Sequence, residues 1–370
     1  VTLGANGAET TGNGEAGEDD SIKNFENIIG SNFNDTLTGN NLANKLYGGL
    51  GDDVLIGGAG ADTLDGGGGI VPSEVGYDVV DYSMLTATQS VTVTLGKDGK
   101  AVTVSSPAGS PAKGDVLINI EVVKAGAGND RLVGNNLHNK LYGGDGDDYL
   151  QAGIVADLLD GGSGNDTASF AGLSVGVSAD LVTGMVNGFS SLVDIENLVG
   201  SKYDDILIGD AGVNKISGGT GNDVIRGGDG ADILDGGTHT SNVQGPNGMI
   251  GDAVDYSQIS DIDLVVTLGA NGAKTVVTAT GMNASFANGE TIMNFESIVG
   301  SQGNDKLTGN AGNNVIHGED GDDWIDGGAG NDRLHGGSGI NTVSYASAAA
   351  GVTVNLGIGT AQNTGGSGID

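Results

Sequence analysis

The chain has 370 residues, 72 of them Gly, and carries 48 Asp and Glu against 14 Lys and Arg, a formal charge of −34. That charge excludes nucleic acid as a partner, because a phosphate backbone demands Lys and Arg; the lack of Cys excludes disulfides, zinc thiolates and Cys nucleophiles. No apolar run approaches the length of a membrane span, so membrane insertion is not expected.

A Gly-rich, acidic chain with 4% aromatics could simply be disordered. Strict order argues against that, because Gly and Asp fall on a fixed grid with an apolar residue at one phase. A solvated acidic face needs no such grid.

Residues 1–29 read as a connector belonging to a partial module. Val1-Thr2-Leu3-Gly4 resembles Val352-Thr353-Val354-Asn355-Leu356-Gly357 near the other end. Both ends thus lie in mid-pattern, as expected for an internal piece of a longer tandem protein, and Val1 begins no signal peptide. The first array follows. Gly48-Gly49-Leu50-Gly51-Asp52-Asp53-Val54-Leu55-Ile56 leads straight into Gly57-Gly58-Ala59-Gly60-Ala61-Asp62-Thr63-Leu64-Asp65. The period is nine, with Gly at phases one, two and four, Asp at six and a bulky aliphatic at eight. The grid starts at residues 30, 125, 200 and 300 and runs for five units each time.

Three residues such as Val54-Leu55-Ile56 suit a short strand whose middle side chain points inward. The six before them suit a turn in which Gly permits positive φ and close backbone approach. Two nonapeptides make one coil, with coils about 4.8 Å apart. The predicted fold is all-β: four short parallel β-rolls over 30–83, 125–170, 200–257 and 300–346. Connectors occupy 84–124, 171–199, 258–299 and 347–370. Five units give two and a half coils per array, too thin a stack to stand on apolar burial alone.

The motif GGxGxDxUx, with U a large apolar residue, resembles the RTX (repeats-in-toxin) class of secreted bacterial proteins, and the resemblance covers all four arrays. It implies a right-handed parallel β-helix, several bound Ca²⁺ ions, and export through a one-step (type I) channel. Affinities on the order of 10⁻⁴ to 10⁻³ M would match extracellular calcium modules.

Hard oxygen ligands with no His or Cys at the repeat phases favour Ca²⁺ over zinc or copper, and Mg²⁺ prefers to keep its waters. Asp residues one coil apart are expected to share an ion. On one edge this pairs Asp35 with Asp53, Asp130 with Asp148, Asp148 with Asp166, Asp205 with Asp223, and Asp305 with Asp323. Asp53 pairs with Asp78 across an insertion from Ile70 to Val75, and Asp223 with Asp252 across a longer one. The opposite edge carries Asn44, Asn139, Asn214 and Asn314 in its leading unit, facing Asp62, Asp157, Asp232 and Asp332. Asn offers only a neutral oxygen, as does Asn341 in the last unit, so these residues either form weaker sites or only stabilise turns. Carbonyls of Gly49, Gly51, Gly58, Gly60, Gly126, Gly128, Gly144, Gly146, Gly219, Gly221, Gly228, Gly230, Gly328 and Gly330 are expected to complete the coordination.

Each array is followed by an aromatic (Tyr82, Phe170, Tyr256 or Tyr345) and then by a period-two run. The runs are Val91, Val93, Leu95; Val175, Val177, Ala179, Leu181; Leu264, Val266, Leu268; and Val352, Val354, Leu356. These are expected to be strands that cap and connect the rolls. Glu26, Glu121, Glu196 and Glu296 each stand four residues before an array, as terminal ligands or as structural acids.

Nothing local signals an enzyme. His138, His239, His317 and His335 are scattered, and neither HExxH nor GxSxG occurs. The expectation is a calcium-binding structural region of a secreted, cell-surface-associated protein such as an adhesin, surface-layer or matrix protein. The alternative is a secretion and folding appendage of a protease, lipase, polysaccharide epimerase or toxin. Beyond calcium ions, the candidate partners are neighbouring copies or cell-surface polysaccharide.

Overall fold

The computed structural model describes residues 1–4, 10–13, 19–68, 77–187, 190–239, 249–358, 360–365 and 367–370. The insertion expected from Ile70 to Val75 lies outside the described residues, as does 240–248 of the longer one. Among the described residues the regular structure is β, apart from three short 3₁₀ turns at Lys97–Gly99, Ala270–Gly272 and Ala284–Phe286. The chain forms two compact units, residues 1–172 with 188–195 and residues 173–187 with 196–370.

In the first unit, triplets such as Val54–Ile56 are strands because stiff aliphatic residues stand between Gly turns. Thr36–Thr38, Val54–Ile56, Val79–Asp81, Val122–Lys124, Lys140–Asp145, Leu158–Ser163 and Ser190–Val193 form one parallel run. Their middle residues lie in register as a column: Leu37, Leu55, Val80, Val123, Leu141, Leu159 and Leu192, all buried. Two further parallel runs face it. One holds Asn27–Ile29, Lys45–Gly49, Thr63–Gly67 and Val116–Ile118. The other holds Thr92–Thr94, Arg131–Val133, Tyr149–Gln151 and Thr167–Ser169. Each column is one residue wide, and burial of one aliphatic contributes about 1.5–3 kcal/mol.

The connector strands do more than cap. Val122–Lys124 pairs with Val79–Asp81 on one side and Lys140–Asp145 on the other, so one sheet runs through both arrays of the unit. Asp115-Val116-Leu117 and Glu121-Val122-Val123 explain this, because each keeps an acid at phase six and an aliphatic at phase eight while lacking the glycines.

The second unit repeats the plan. Ser178–Asp180, Ile206–Ile208, Val224–Arg226, Ala253–Asp255, Ser297–Val299, Val315–His317 and Arg333–His335 form its long parallel run. The facing runs are Asn197–Val199, Lys215–Thr220, Ile233–Thr238 and Thr291–Met293, and Ile262–Thr267, Lys306–Thr308, Trp324–Asp326 and Thr342–Val343. Thr36–Thr38 corresponds to Ile206–Ile208 roughly 170 residues on, so the larger repeat contains two arrays and their connectors.

Two expected strands differ. Val352 to Leu356 forms no strand and Leu356 is 87% exposed. In the run from Val175, the first residue is exposed and inward alternation begins at Val177.

Candidate metal centres

The phase-six acids form ladders along the turn edges. Each uses Oδ1 to accept the backbone N–H of the phase-six residue one coil earlier. Asp35 donates to Asp53 at 2.8 Å, Asp130 to Asp148 at 2.6 Å, Asp148 to Asp166 at 2.7 Å, Asp205 to Asp223 at 2.9 Å and Asp305 to Asp323 at 2.9 Å. The two pairs expected across insertions are made as well, Asp53 N–H to Asp78 and Asp223 N–H to Asp252, both at 2.8 Å. On the other edge Asn44, Asn139, Asn214 and Asn314 donate in the same way to Asp62, Asp157, Asp232 and Asp332 at 2.7–2.9 Å.

The second carboxylate oxygen sorts the acids into two groups. Oδ2 of Asp53, Asp62, Asp148, Asp223, Asp232, Asp252, Asp323 and Asp332 is buried with no hydrogen-bond partner. An unpaired ionised oxygen in such a place is costly unless a cation or a proton joins it. Burial, reinforced by neighbouring acids, accordingly pushes Asp148, Asp223 and Asp332 up to about 7 and Asp252 to about 8. By contrast, Oδ2 of Asp35, Asp130, Asp157, Asp205 and Asp305 already accepts the N–H of the residue four positions earlier, at 2.5–3.1 Å. Those donors, at Ser31, Gly126, Gly153, Ser201 and Ser301, lack the positive φ found at the equivalent Gly49, Gly58, Gly144, Gly219, Gly228 and Gly328.

Phase-one glycines bring these oxygens close to the backbone of the next coil. A Cβ placed on Gly48 would lie against Asp53 Oδ2 and 2.5 Å from the Gly66 carbonyl, and one on Gly143 against Asp148 Oδ2 and 2.6 Å from the Gly161 carbonyl. Gly218 and Gly318 repeat the arrangement with Asp223 and Asp323. An anionic oxygen facing a carbonyl oxygen, with no nitrogen or sulfur donor, fits Ca²⁺. These phase-one glycines were not singled out in the sequence.

The predicted glycines also set how closely the coils stack. Gly49 and Gly51 sit at φ 122° and 116°, and a Cβ on Gly49 would strike the Ser31 carbonyl of the coil before. Gly58, Gly60, Gly144, Gly146, Gly219, Gly221, Gly228, Gly230, Gly328 and Gly330 share this positive φ, so these residues let coils stack closely. Gly126 and Gly128 do not share it. They lie in an opening turn, where Gly126 N–H donates to Asp130.

The leading Asn residues are engaged at both side-chain atoms. In Asn44, Asn139, Asn214 and Asn314, Oδ1 accepts the N–H four residues earlier at 2.7–2.9 Å. Their Nδ2 donates to the carbonyls of Glu26, Glu121, Glu196 and Glu296 one coil back, at 2.8–3.4 Å. Asn341 instead keeps the acid's rung, accepting Asp323 N–H at 2.9 Å.

Three further acids extend the ladders and a fourth, Glu290, stands beside one. Glu121 accepts Asp78 N–H at 3.2 Å, and Glu296 accepts Asp252 N–H at 3.0 Å while lying 3.1 Å from His239 Nδ1. Asp115 continues the opposite edge, and Asp115 and Glu290 receive the phenol hydrogens of Tyr82 at 3.0 Å and Tyr256 at 2.6 Å. Asp115 and Glu290 do not stand out in the sequence because the glycines of phases one, two and four are missing before them, although the acid–x–aliphatic triplet is present.

Stacked turns with buried, unpartnered carboxylate oxygens beside backbone carbonyls define a calcium-binding parallel β-roll. The family model described as the RTX calcium-binding nonapeptide repeat matches residues 38–70, 120–150, 133–168, 194–219, 208–238, 295–323 and 308–343. The repeat arrays belong to this family, and their cofactor is Ca²⁺. Among solved structures, the extracellular lipase LipA from Serratia marcescens is similar over 72% of this chain and 37% of that one, at 15% identity and a TM-score of 0.19. The chain therefore spans little more than a third of that protein's length.

Proposed function

We propose that this chain is a calcium-binding structural region of a secreted, cell-surface-associated protein, non-catalytic in itself, that folds and stiffens when calcium becomes available outside the cell. The observation that carries this reading is the row of buried Asp Oδ2 atoms without partners, repeated at one phase of the coil. Without a cation these carboxylates repel one another and oppose compaction. With Ca²⁺ the same oxygens become ligands, and binding and folding are one event. The ions are assigned to Asp53, Asp62, Asp148, Asp223, Asp232, Asp252, Asp323 and Asp332, with phase-one Gly turns supplying carbonyls. Asp35, Asp130, Asp157, Asp205, Asp305 and the leading Asn residues hold turns instead. A polymer of tandem modules in an adhesin, surface layer or matrix would use such stiffening directly.

The test is a calcium titration of the chelator-treated chain followed by far-ultraviolet circular dichroism. A cooperative gain of β signal at millimolar Ca²⁺, reversed by chelator and not reproduced by Mg²⁺, is the expected result. A β signal already complete in chelator would overturn the coupling of folding to calcium.

A further inference from the structure

Glu290 lies outside every nonapeptide array, in the connector between the third and fourth. It immediately precedes strand Thr291–Met293, which pairs parallel with Ile233–Thr238 and brings Thr291 N–H to the Asp232 carbonyl at 2.7 Å. Its side chain is fully buried. One oxygen, Oε2, accepts the phenol hydrogen of buried Tyr256. The other, Oε1, has no hydrogen-bond partner, and neither has the buried Asp232 Oδ2. Both face one point: a Cβ on Gly227 would lie 2.5 Å from Asp232 Oδ2 and directly against Glu290 Oε1.

Two anionic oxygens with no donor between them repel in a dry site, and a bridging cation ends the repulsion while leaving both ionised. Neither oxygen can find a donor by rotating, since Tyr256 already holds Oε2 and Asn214 N–H already holds Asp232 Oδ1. All donors are hard oxygens, the set that suits Ca²⁺. We infer that Glu290 and Asp232 together ligate a Ca²⁺ ion, so that calcium fastens the connector, and not only the repeats, into the second unit. The inference rests on the calcium reading above and adds a ligand from outside the repeat motif.

The first unit contains the natural contrast. Asp115 occupies the corresponding place, but there both oxygens are engaged, Oδ1 by Asp62 N–H at 2.9 Å and Oδ2 by Tyr82 at 3.0 Å. One methylene fewer draws the carboxylate back onto the backbone. The extra methylene of Glu290 is what leaves an oxygen free to reach toward Asp232.

The experiment is calcium stoichiometry of the full chain by native mass spectrometry and equilibrium dialysis, comparing wild type, Glu290→Gln and Asp148→Asn. Gln keeps the acceptor for Tyr256 and removes the anionic ligand, so Glu290→Gln should bind one Ca²⁺ fewer than wild type. Glu290→Asp, which reproduces the Asp115 arrangement, should bind the Asp232 ion more weakly, and it serves if the Gln variant does not fold. An unchanged count in Glu290→Gln, or an unchanged dialysis isotherm in Glu290→Asp, with a reduced count in Asp148→Asn, would overturn this site and leave the repeat sites standing. A wild type that binds no calcium would overturn both.

Discussion

Replacing Asp148 by Asn should change the stability of the chain in opposite directions with and without calcium. Asn keeps the oxygen that accepts Asp130 N–H at 2.6 Å, so the backbone ladder survives. What changes is the second atom, from a buried, unpartnered carboxylate oxygen to an uncharged amide. In chelator at pH 8 the native carboxylate is desolvated and opposed by Asp130, Asp166 and Asp147, which is why it is pushed up to about 7. Removing that charge should therefore raise stability. With calcium the sign reverses, because a ligand is lost. For a site of 10⁻³ to 10⁻⁴ M affinity at about 10 mM Ca²⁺, linkage supplies roughly 1.4–2.7 kcal/mol, and the variant forfeits up to that amount. Urea denaturation followed by circular dichroism, in chelator and again in about 10 mM Ca²⁺, measures both arms. A midpoint that moves the same way in both conditions would refute the assignment of Asp148 as an ion ligand.

Gly143→Ala should raise the calcium midpoint about tenfold or more, equivalent to about 1.4 kcal/mol, since its Cβ falls between Asp148 Oδ2 and the Gly161 carbonyl; a titration curve superposable on wild type would contradict the cradle. Asn314→Asp should lose about 1–3 kcal/mol whether or not calcium is present, because a carboxylate would face the Glu296 carbonyl that Asn314 Nδ2 now reaches at 3.0 Å; a loss seen only in chelator would instead show the introduced carboxylate recruiting an ion. Acidifying the chelator-treated chain from pH 8 to pH 5 should increase its β signal. Asp148, Asp223 and Asp332 titrate at about 7 and Asp252 at about 8 when folded, against an ordinary 3.8. The folded state therefore holds more protons than the unfolded chain between these values, and stability falls as pH rises through that window. A β signal that declines on acidification would count against those burials.

Much of this was legible in the sequence because one phase of the repeat carries one physical task. Phase eight gave the core column, with Leu55 and Leu141 buried as the alternation required. Phase six gave the ladder, including the partners Asp78 and Asp252 beyond the insertions. What the sequence hid was the difference between two oxygens of one carboxylate. Asp35 and Asp53 look alike on the grid, yet Ser31 N–H occupies the free oxygen of the first and nothing occupies that of the second. The distinction depends on the residue four positions earlier: Gly49 turns to positive φ before Asp53, and Ser31 before Asp35 does not, a local difference that the shared Asp phase masked. Connector strands were similarly obscured, because Val116–Ile118 and Val122–Lys124 keep the acid and the aliphatic but none of the glycines that made the grid visible.

The ladder has a polarity. Asp35 N–H is held by an acid eighteen residues downstream, and the cradle beside Asp53 is closed by the Gly66 carbonyl of the following coil. The phase-six N–H of these turns is thus held from the C-terminal side. A chain presented N-terminus first to calcium would show each turn before the residues that close it, and must wait for them. A chain presented C-terminus first would add each new turn onto a finished one, as a zipper runs in its easy direction.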